Sequence, residues 1–343
     1  MKSIVLLLFL PFGVWGQKED NLTIQVNEGI ELMTVVHYLG GMAGPSASAY
    51  QKDVVRYFAP YRCHEAPSTL FAWRFPVYSD LTECGLAFEN LPDIRLRRLP
   101  DSCNWFKSIP RDSLEAYLRQ CMQFYKDTRF HEFFLAHAGM FRQWAQGLRD
   151  SIAEPIRIFD SLINTRRDRH WLICMDPLNG WGAHTVMPRS INMQYQNDYI
   201  YQLGYFGTTD SAGRMVFTAD LYDFAWHEGT HAFTDSLLLA NKRAIDSLAY
   251  LMPQKNDDLR RQNINDWNHY FNELLPRAVS IALTRQFRSQ KAYEDQLKFE
   301  ERRGFVHVKI VSDLIYTDFV HERKVNNFEA LLPEILKRLV TLH

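Results

Sequence analysis

Two histidines and a glutamate are spaced so that they could bind a metal ion and activate water. They are His227, Glu228 and His231, in the segment Trp-His-Glu-Gly-Thr-His. Four residues along an α-helix turn through about 400° and rise about 6 Å, so both imidazoles leave one face and converge on one ion. Glu228 lies beside that face, where a carboxylate can take a proton from water at a zinc ion. The spacing predicts zinc at the two histidines and a catalytic base at Glu228.

A catalytic zinc ion usually has three protein ligands, so a third residue is required. Leu237 stands six residues after His231, where the longer metzincin pattern has a histidine. A glutamate on a second helix can face the histidine pair, which favours Glu273, with His269 one turn earlier as the reserve. The alternative for Glu273 is an exposed carboxylate that pairs with Arg277 at the i,i+4 spacing. The other acidic residues considered are Asp235, Asp246, Asp257, Asp258 and Asp266.

Other residues are candidates for binding the substrate. A carbonyl oxygen that becomes negative needs a hydrogen-bond donor besides the metal. The sequence does not choose among four candidates, which are Tyr270, Arg277, Tyr316 and His321. Residues 190–195 alternate as the edge strand for an extended peptide would, and an internal strand is the alternative. His184 could reach the cleft from a strand edge, but we predict a surface position for it.

A second histidine-rich segment lacks the spacing that a shared ion needs. His131 and His137 are six residues apart, so on a helix their side chains diverge by about 120°. We therefore expect ordinary helix positions for both.

Composition excludes two broad classes of protein. The chain has 343 residues, a net charge of -1, and 46% hydrophobic residues. A disordered chain has low hydrophobicity and high net charge, and a nucleic-acid binder that relies on diffuse electrostatics is strongly basic. Five cysteines without a Cys-x-x-Cys pair exclude a zinc ribbon, and they leave disulfide pairing open.

The first sixteen residues have the features of a secretory signal peptide. Lys2 precedes an apolar run from Ile4 to Leu10, and small residues follow up to Gly16. That run is too short to cross a bilayer, which takes about 20 residues, and no later segment fits a membrane span. We predict residues 1–16 to be a signal peptide and the product to be exported, periplasmic or secreted. The alternative is a buried first strand or helix.

The remaining residues, 17–343, predict a single α+β domain that is mostly helical. Its parts are a helical N-terminal part at about 27–165, a small sheet at about 170–217 and a metal-binding helical part at about 219–343. Asn27 is the predicted N-cap of a helix from Gly29 to Leu39, and Ser113 is the predicted cap of a later helix. Gly229 costs about 1 kcal/mol relative to alanine inside a helix, which indicates close packing against the backbone there.

The segment at 227–235, His-Glu-Gly-Thr-His-Ala-Phe-Thr-Asp, resembles the zinc helix of thermolysin-type gluzincin peptidases. Over nearly the whole mature chain, the layout resembles an uncharacterised domain-of-unknown-function family of exported bacterial zincin-like proteins. The segments that carry this second resemblance are 30–33, 38–39, 57–58, 63–64, 130–134, 177–180 and 273–278. The resemblance implies a zincin-like metallopeptidase fold and supports Glu273 as the third ligand. Pro276 departs from the aliphatic residue expected there, and inside a helix it removes a backbone hydrogen bond and kinks the axis.

The predicted function is an exported zinc-dependent metallopeptidase that acts on a peptide or protein substrate, without nucleic acid. His227, His231 and Glu273 bind Zn²⁺, and Glu228 serves as general base and then as general acid. The alternative is a non-catalytic binding protein on a zincin scaffold with structural zinc, against which the intact Glu228 argues. Metal-assisted hydrolysis of another kind of bond fits the same four residues. The sequence predicts neither the substrate preference nor the oligomeric state.

Overall fold

The computed structural model describes residues 21–42, 48–73, 84–99, 109–162, 170–180, 182–186, 198–205, 207–217, 220–253, 256–325 and 327–341. The predicted signal peptide at 1–16 and the alternating segment at 190–195 lie outside these ranges, as does the side chain of Asp235.

The N-terminal part consists mainly of helices. In the described ranges, strand β1 (Leu22–Gln25) is followed by helices on either side of a short antiparallel pair, β2 (Phe88–Glu89) and β3 (Arg95–Leu96). The helices are α1 (Glu28–His37), α2 (Ala49–Phe58), α3 (Glu65–Trp73), α4 (Arg111–Asp127) and α5 (Phe130–Leu162).

The two predicted helix caps in this part have different outcomes. Asn27 caps α1 as predicted, because its side-chain oxygen accepts a hydrogen bond from the Ile30 N–H at 3.0 Å. The prediction for Ser113 is wrong, since α4 begins at Arg111 and places Ser113 within the first turn. Pro110 precedes this helix without a side-chain cap bond. Asp112 is the acidic residue of that first turn, where a negative charge stabilises the helix.

A four-stranded sheet follows, as the sequence predicts. It adds β4 (His170–Asp176), β5 (Ala183–Val186) and β6 (Asp198–Gly204) to β1 in the order β1-β4-β6-β5. Strands β1, β4 and β6 are parallel, whereas β5 runs antiparallel to β6. Nearly all residues of β4 and β6 are buried, as are Leu22 and Ile24 of β1, so the sheet forms part of the core.

Helices dominate the C-terminal part. They are α6 (Leu221–Ala240), α7 (Lys242–Asp246), α8 (Asp257–Arg261), α9 (Trp267–Phe287), α10 (Gln290–Arg302), α11 (Val308–Leu314) and α12 (Phe328–Val340). A π-helical turn, Ile315–His321, follows α11. The predicted α+β class, mostly helical with a small sheet, is confirmed. Across the described ranges, every helix falls short of the length and apolarity needed to cross a membrane.

Helix α6 packs on one face of the sheet, where aromatic side chains of β4 and β6 lie. The rings of Trp171 and Tyr201 stack with their centroids 4.8 Å apart. Phe224 of α6 meets the ring of Tyr201 edge-on, at a centroid distance of 6.0 Å. Trp171 and Tyr201 are buried, so this aromatic layer fixes the helix that carries the predicted zinc motif.

Strand β5 points adjacent side chains to opposite faces of the sheet. The Thr185 hydroxyl contacts Glu228 of α6, so His184 points to the face away from α6. There His184 hydrogen-bonds with Gln202, and burial lowers the pKa of its imidazole to about 4. His184 is thus half-buried beside Gln202 of β6, rather than freely exposed at the surface as predicted.

Gly229 lies where α6 packs against Phe159 of α5 and Trp171 of β4. A Cβ atom at this position would come within 2.9 Å of ring carbons of both Phe159 and Trp171. Distances this short are repulsive for carbon atoms, which meet at about 3.5–4.0 Å. The predicted close approach to the backbone at Gly229 is confirmed, and it explains why a poor helix former stands inside this helix.

We expect Gly229→Ala to destabilise the protein although alanine is the better helix former. Overpacking a core costs about 1–3 kcal/mol, which exceeds the gain of about 1 kcal/mol in helix propensity. Urea unfolding should show a lower midpoint for this variant. The matched control is Gly147→Ala in α5, because a Cβ atom there meets nothing within 4 Å. This control should stabilise the protein, and a Gly229→Ala variant as stable as the control would contradict the packing argument.

Candidate metal centre

Helix α6 holds His227 and His231 on the face that meets α9. Asp220 caps the start of α6 through hydrogen bonds from two backbone N–H groups. Trp226 ties the helix to α5, since its indole N–H donates to the Pro155 carbonyl oxygen at 3.0 Å. The helix is therefore anchored at its first turn and in the turn that carries the histidines.

Helix α9 presents Glu273 to these histidines. Asp266 caps this helix by accepting a hydrogen bond from the His269 N–H at 2.9 Å. Pro276 lies inside α9, yet the helix continues from Trp267 to Phe287. The missing N–H of Pro276 removes one backbone bond, and the buried side chains on both sides of it keep the helix packed. Glu273 is thus held on a continuous helix.

The three predicted ligands come together. The Nε2 atoms of His227 and His231 are 3.2 Å apart. Oε1 of Glu273 lies 3.6 Å from Nε2 of His231, and Oε2 lies 3.9 Å from Nε2 of His227. Ligand atoms about 2.1 Å from a tetrahedral zinc ion are about 3.4 Å from one another. Two imidazole nitrogens and a carboxylate at these distances fit a zinc ion that keeps a fourth position for a reactant.

The charges of these groups also suit a metal ion. Burial lowers the pKa of His231, and burial together with the Arg277 charge lowers that of His227 well below its usual value. Burial would raise the pKa of Glu273, but Arg277 and the two histidines lower it to about 2. At neutral pH the site therefore offers two neutral imidazoles and an ionised carboxylate, which are the forms that bind metal ions.

Arg277 contacts the Glu273 carboxylate from the next turn of α9. Its Nη1 donates to Oε2 of Glu273 and, at 2.8 Å, to the carbonyl oxygen of the same residue. Its Nε donates to Oε2 of Glu300 at 3.0 Å, and Arg303 holds the other oxygen of Glu300 at 3.2 Å. The guanidinium also lies 4.2 Å from the ring centroid of Phe305. Both Arg277 and Glu300 are buried, so this chain of ion pairs restricts the position of the Glu273 carboxylate.

We expect Arg277→Gln to weaken zinc binding by about 10–100-fold, which is the usual cost of losing a group that orients a metal ligand. Competition with a chromophoric chelator measures this affinity. The matched control is Arg285→Gln, because Arg285 lies on the same helix and pairs with Asp313 near the surface. The control should keep the wild-type affinity. Equal losses of zinc affinity in both variants would indicate a general effect of removing a positive charge, rather than the loss of a group that positions Glu273.

Glu228 lies next to the triad but is not part of it. The Thr185 hydroxyl lies 2.9 Å from both Oε2 and the carbonyl oxygen of Glu228. Burial raises the pKa of the Glu228 carboxyl to about 7, although the bond from Thr185 opposes this effect. A carboxyl group with a pKa near neutrality can both accept and return a proton, which suits a general base.

The other predicted ligands lie outside this cluster. Among the described residues, the single group of three metal-binding side chains is His227, His231 and Glu273. His269 is exposed on α9. The described acidic candidates have other partners: Asp246 pairs with Lys242, Asp257 with Arg260, Asp258 with Arg261, and Asp266 caps α9.

The four candidate donors for the carbonyl oxygen are not gathered at the triad. The Tyr270 hydroxyl hydrogen-bonds with Nδ1 of His307 at 3.0 Å. The ring of Tyr316 stacks with His321 at a centroid distance of 5.3 Å. Of the four, Arg277 alone contacts a triad residue among the described contacts, and it is engaged with Glu273.

The second histidine-rich segment does not form a site. Nδ1 of His131 lies 2.9 Å from a Glu28 oxygen, whereas Nδ1 of His137 lies 2.8 Å from the Phe133 carbonyl oxygen. The two imidazoles thus have separate partners, in agreement with their six-residue spacing.

No pattern in the sequence pointed to Thr185 or Glu300. Thr185 is 43 residues from Glu228, and Glu300 is 23 residues from Arg277, so no local spacing links them. The i,i+4 spacing did predict the pairing of Glu273 with Arg277. The exposed pair that was the alternative for Glu273 is met only in part, because the two side chains do pair but are largely buried, with exposures of 22% for Glu273 and 8% for Arg277.

Comparison with known proteins identifies the family of this chain. The model of the family described as domain of unknown function (DUF4932) matches residues 107–338. The chain belongs to this DUF4932 family. The matched region begins just before α4 and ends within α12, so it contains all of the triad and Glu228. Neither the curated proteins nor the solved structures yield a match.

Proposed function

We propose that this chain is an exported, zinc-dependent metallopeptidase with a zincin-like fold. The observation that carries the proposal is the meeting of His227, His231 and Glu273 across two helices, with Glu228 beside them. This combination supports a catalytic site more than a structural one, because structural zinc sites usually have four protein ligands.

His227, His231 and Glu273 would hold the zinc ion, and Arg277 would keep the carboxylate in place. When bound, zinc supplies a Lewis acid that polarises the scissile carbonyl and lowers the pKa of water. Glu228 takes the proton from the attacking water and then gives it to the leaving amine. Thr185 holds the Glu228 carboxylate through its hydroxyl, which orients this base without occupying both of its oxygens.

The experiment measures zinc content and cleavage of a peptide library on the same preparation. One zinc ion per chain together with peptide cleavage that a chelator abolishes is the expected result. Zinc without cleavage would favour the non-catalytic zincin scaffold, and cleavage of ester substrates alone would favour hydrolysis of another bond.

A further inference from the structure

A cavity of about 500 Å³ lies between the end of α6, helix α7 and the start of α9. Its walls are partly apolar and include Leu238, Leu239, Ile245 and Phe271. Leu239 is 74% exposed, so the protein itself leaves apolar surface uncovered here. Cavities of roughly 300–1,000 Å³ with apolar walls and few polar groups are typical of ligand sites.

This cavity lies one to two helical turns from the metal centre, along the same two helices. Leu238 follows His231 by seven residues, which places it two turns further on the same face of α6, about 10 Å away. On α9, the cavity residue His269 precedes Glu273 by one turn. A molecule that reacts at the triad can therefore extend along both helices into the cavity.

Most polar groups around the cavity already have partners within the protein. Nζ of Lys242 lies 2.8 Å and 2.7 Å from the two carboxylate oxygens of Asp246. Asn268 donates to the same carboxylate at 2.9 Å, and Asp266 caps α9. A charged ligand group would find no free counter-charge in this network, whereas an apolar group would cover the exposed leucine side chains.

Asn272 carries an acceptor atom that lacks such a partner among the described residues. It lines the cavity and precedes the predicted ligand Glu273. Its Oδ1 atom is buried and has no hydrogen-bond partner among the described residues. Buried polar atoms normally have a partner, and a backbone N–H of an extended peptide is a donor of the required kind.

We propose that this cavity binds a large apolar side chain of a peptide substrate next to the scissile bond, and that Asn272 accepts a hydrogen bond from the substrate backbone. The proposal rests on the proposed metallopeptidase function, which it extends to a substrate class. Leu238 is then a residue that determines specificity, and Asn272 contributes affinity without distinguishing side chains.

Binding of zinc-directed hydroxamates to the zinc-loaded full chain tests this proposal. Two series of compounds are used, one with a variable residue on the acyl side of the hydroxamate and one with it on the amino side. In each series the variable residue is leucine or the nearly isosteric asparagine. In one series the leucine compound should bind at least about tenfold more tightly, since burial of a leucine side chain favours binding by at least that factor. Leu238→Asn should reduce this preference to less than about threefold, while Asn272→Ala should weaken both compounds about fivefold.

The control variant is Leu135→Asn, because Leu135 is 55% exposed on α5 and is not a cavity residue. It should keep the leucine preference. Zinc content and circular dichroism of each variant show that the site and the fold are retained. Equal binding of both compounds in both series, or a leucine preference that survives Leu238→Asn, would overturn the assignment. If the wild type nevertheless cleaves peptides, the proposed function stands without this cavity; a wild type that binds no zinc overturns both.

Discussion

Replacing Glu228 with glutamine is expected to lower peptide cleavage by about 10²–10⁴-fold, which is the usual contribution of a general base. The amide keeps the shape of the side chain but cannot take a proton from water. Glu228 hydrogen-bonds with Thr185 and is not one of the clustered ligands, so zinc content should remain at one ion per chain. The fold should also be retained, because a carboxyl with a pKa raised by burial to about 7 already tolerates a neutral form.

The matched control for this variant is Glu334→Gln. Glu334 is 53% exposed on α12 and pairs only at long distance with Lys337, so cleavage by this variant should equal that of the wild type. Initial rates with one fluorogenic peptide and metal analysis of the same samples provide the comparison. If Glu228→Gln retains more than about a tenth of the wild-type rate with zinc bound, Glu228 is not the base.

Replacing Glu273 with glutamine is expected to weaken zinc binding by more than the roughly 10–100-fold that loss of an orienting group costs. The amide removes the negative charge that faces His227 and His231 and offers a weaker oxygen ligand. Arg277 loses its ionic partner as well, since its Nη1 donates to the Glu273 carboxylate. Chelator competition measures the affinity, and thermal unfolding without metal separates this effect from a loss of stability.

The control for Glu273 is His269→Gln, which also tests the alternative third ligand. His269 lies one turn earlier on α9 and is exposed, so this variant should bind zinc as the wild type does. The opposite pattern, with zinc lost on changing His269 and kept on changing Glu273, would assign the third ligand to the histidine.

Local patterns predicted much of the helical structure. Asn27 marked the start of α1, and the helix predicted from Gly29 to Leu39 corresponds to Glu28–His37 and the start of the π-helical turn that follows it. Ser113 failed as a cap because side-chain preference alone does not fix where a chain enters a helix, and α4 begins two residues earlier. His184 is half-buried rather than exposed for another reason: it lies beside Gln202 of the neighbouring strand β6, which is distant in sequence.

In the candidate site, too, local spacing predicted some residues, whereas long-range packing brought in the others. His227, Glu228 and His231 are close in sequence, so one helical spacing predicts their arrangement. Glu273 is more distant, and its selection needed the chemical requirement for a third ligand as well as the family resemblance. Thr185 reaches Glu228 only through sheet packing, which no spacing in the sequence records.

Zinc K-edge anomalous diffraction from crystals of the zinc-loaded protein tests the central claim most directly. The predicted result is a single strong peak between α6 and α9, about 2.0–2.2 Å from Nε2 of His227, Nε2 of His231 and one carboxylate oxygen of Glu273. A peak bound elsewhere in the chain, a peak that His269 binds in place of Glu273, or crystals with no peak at this position would contradict the account.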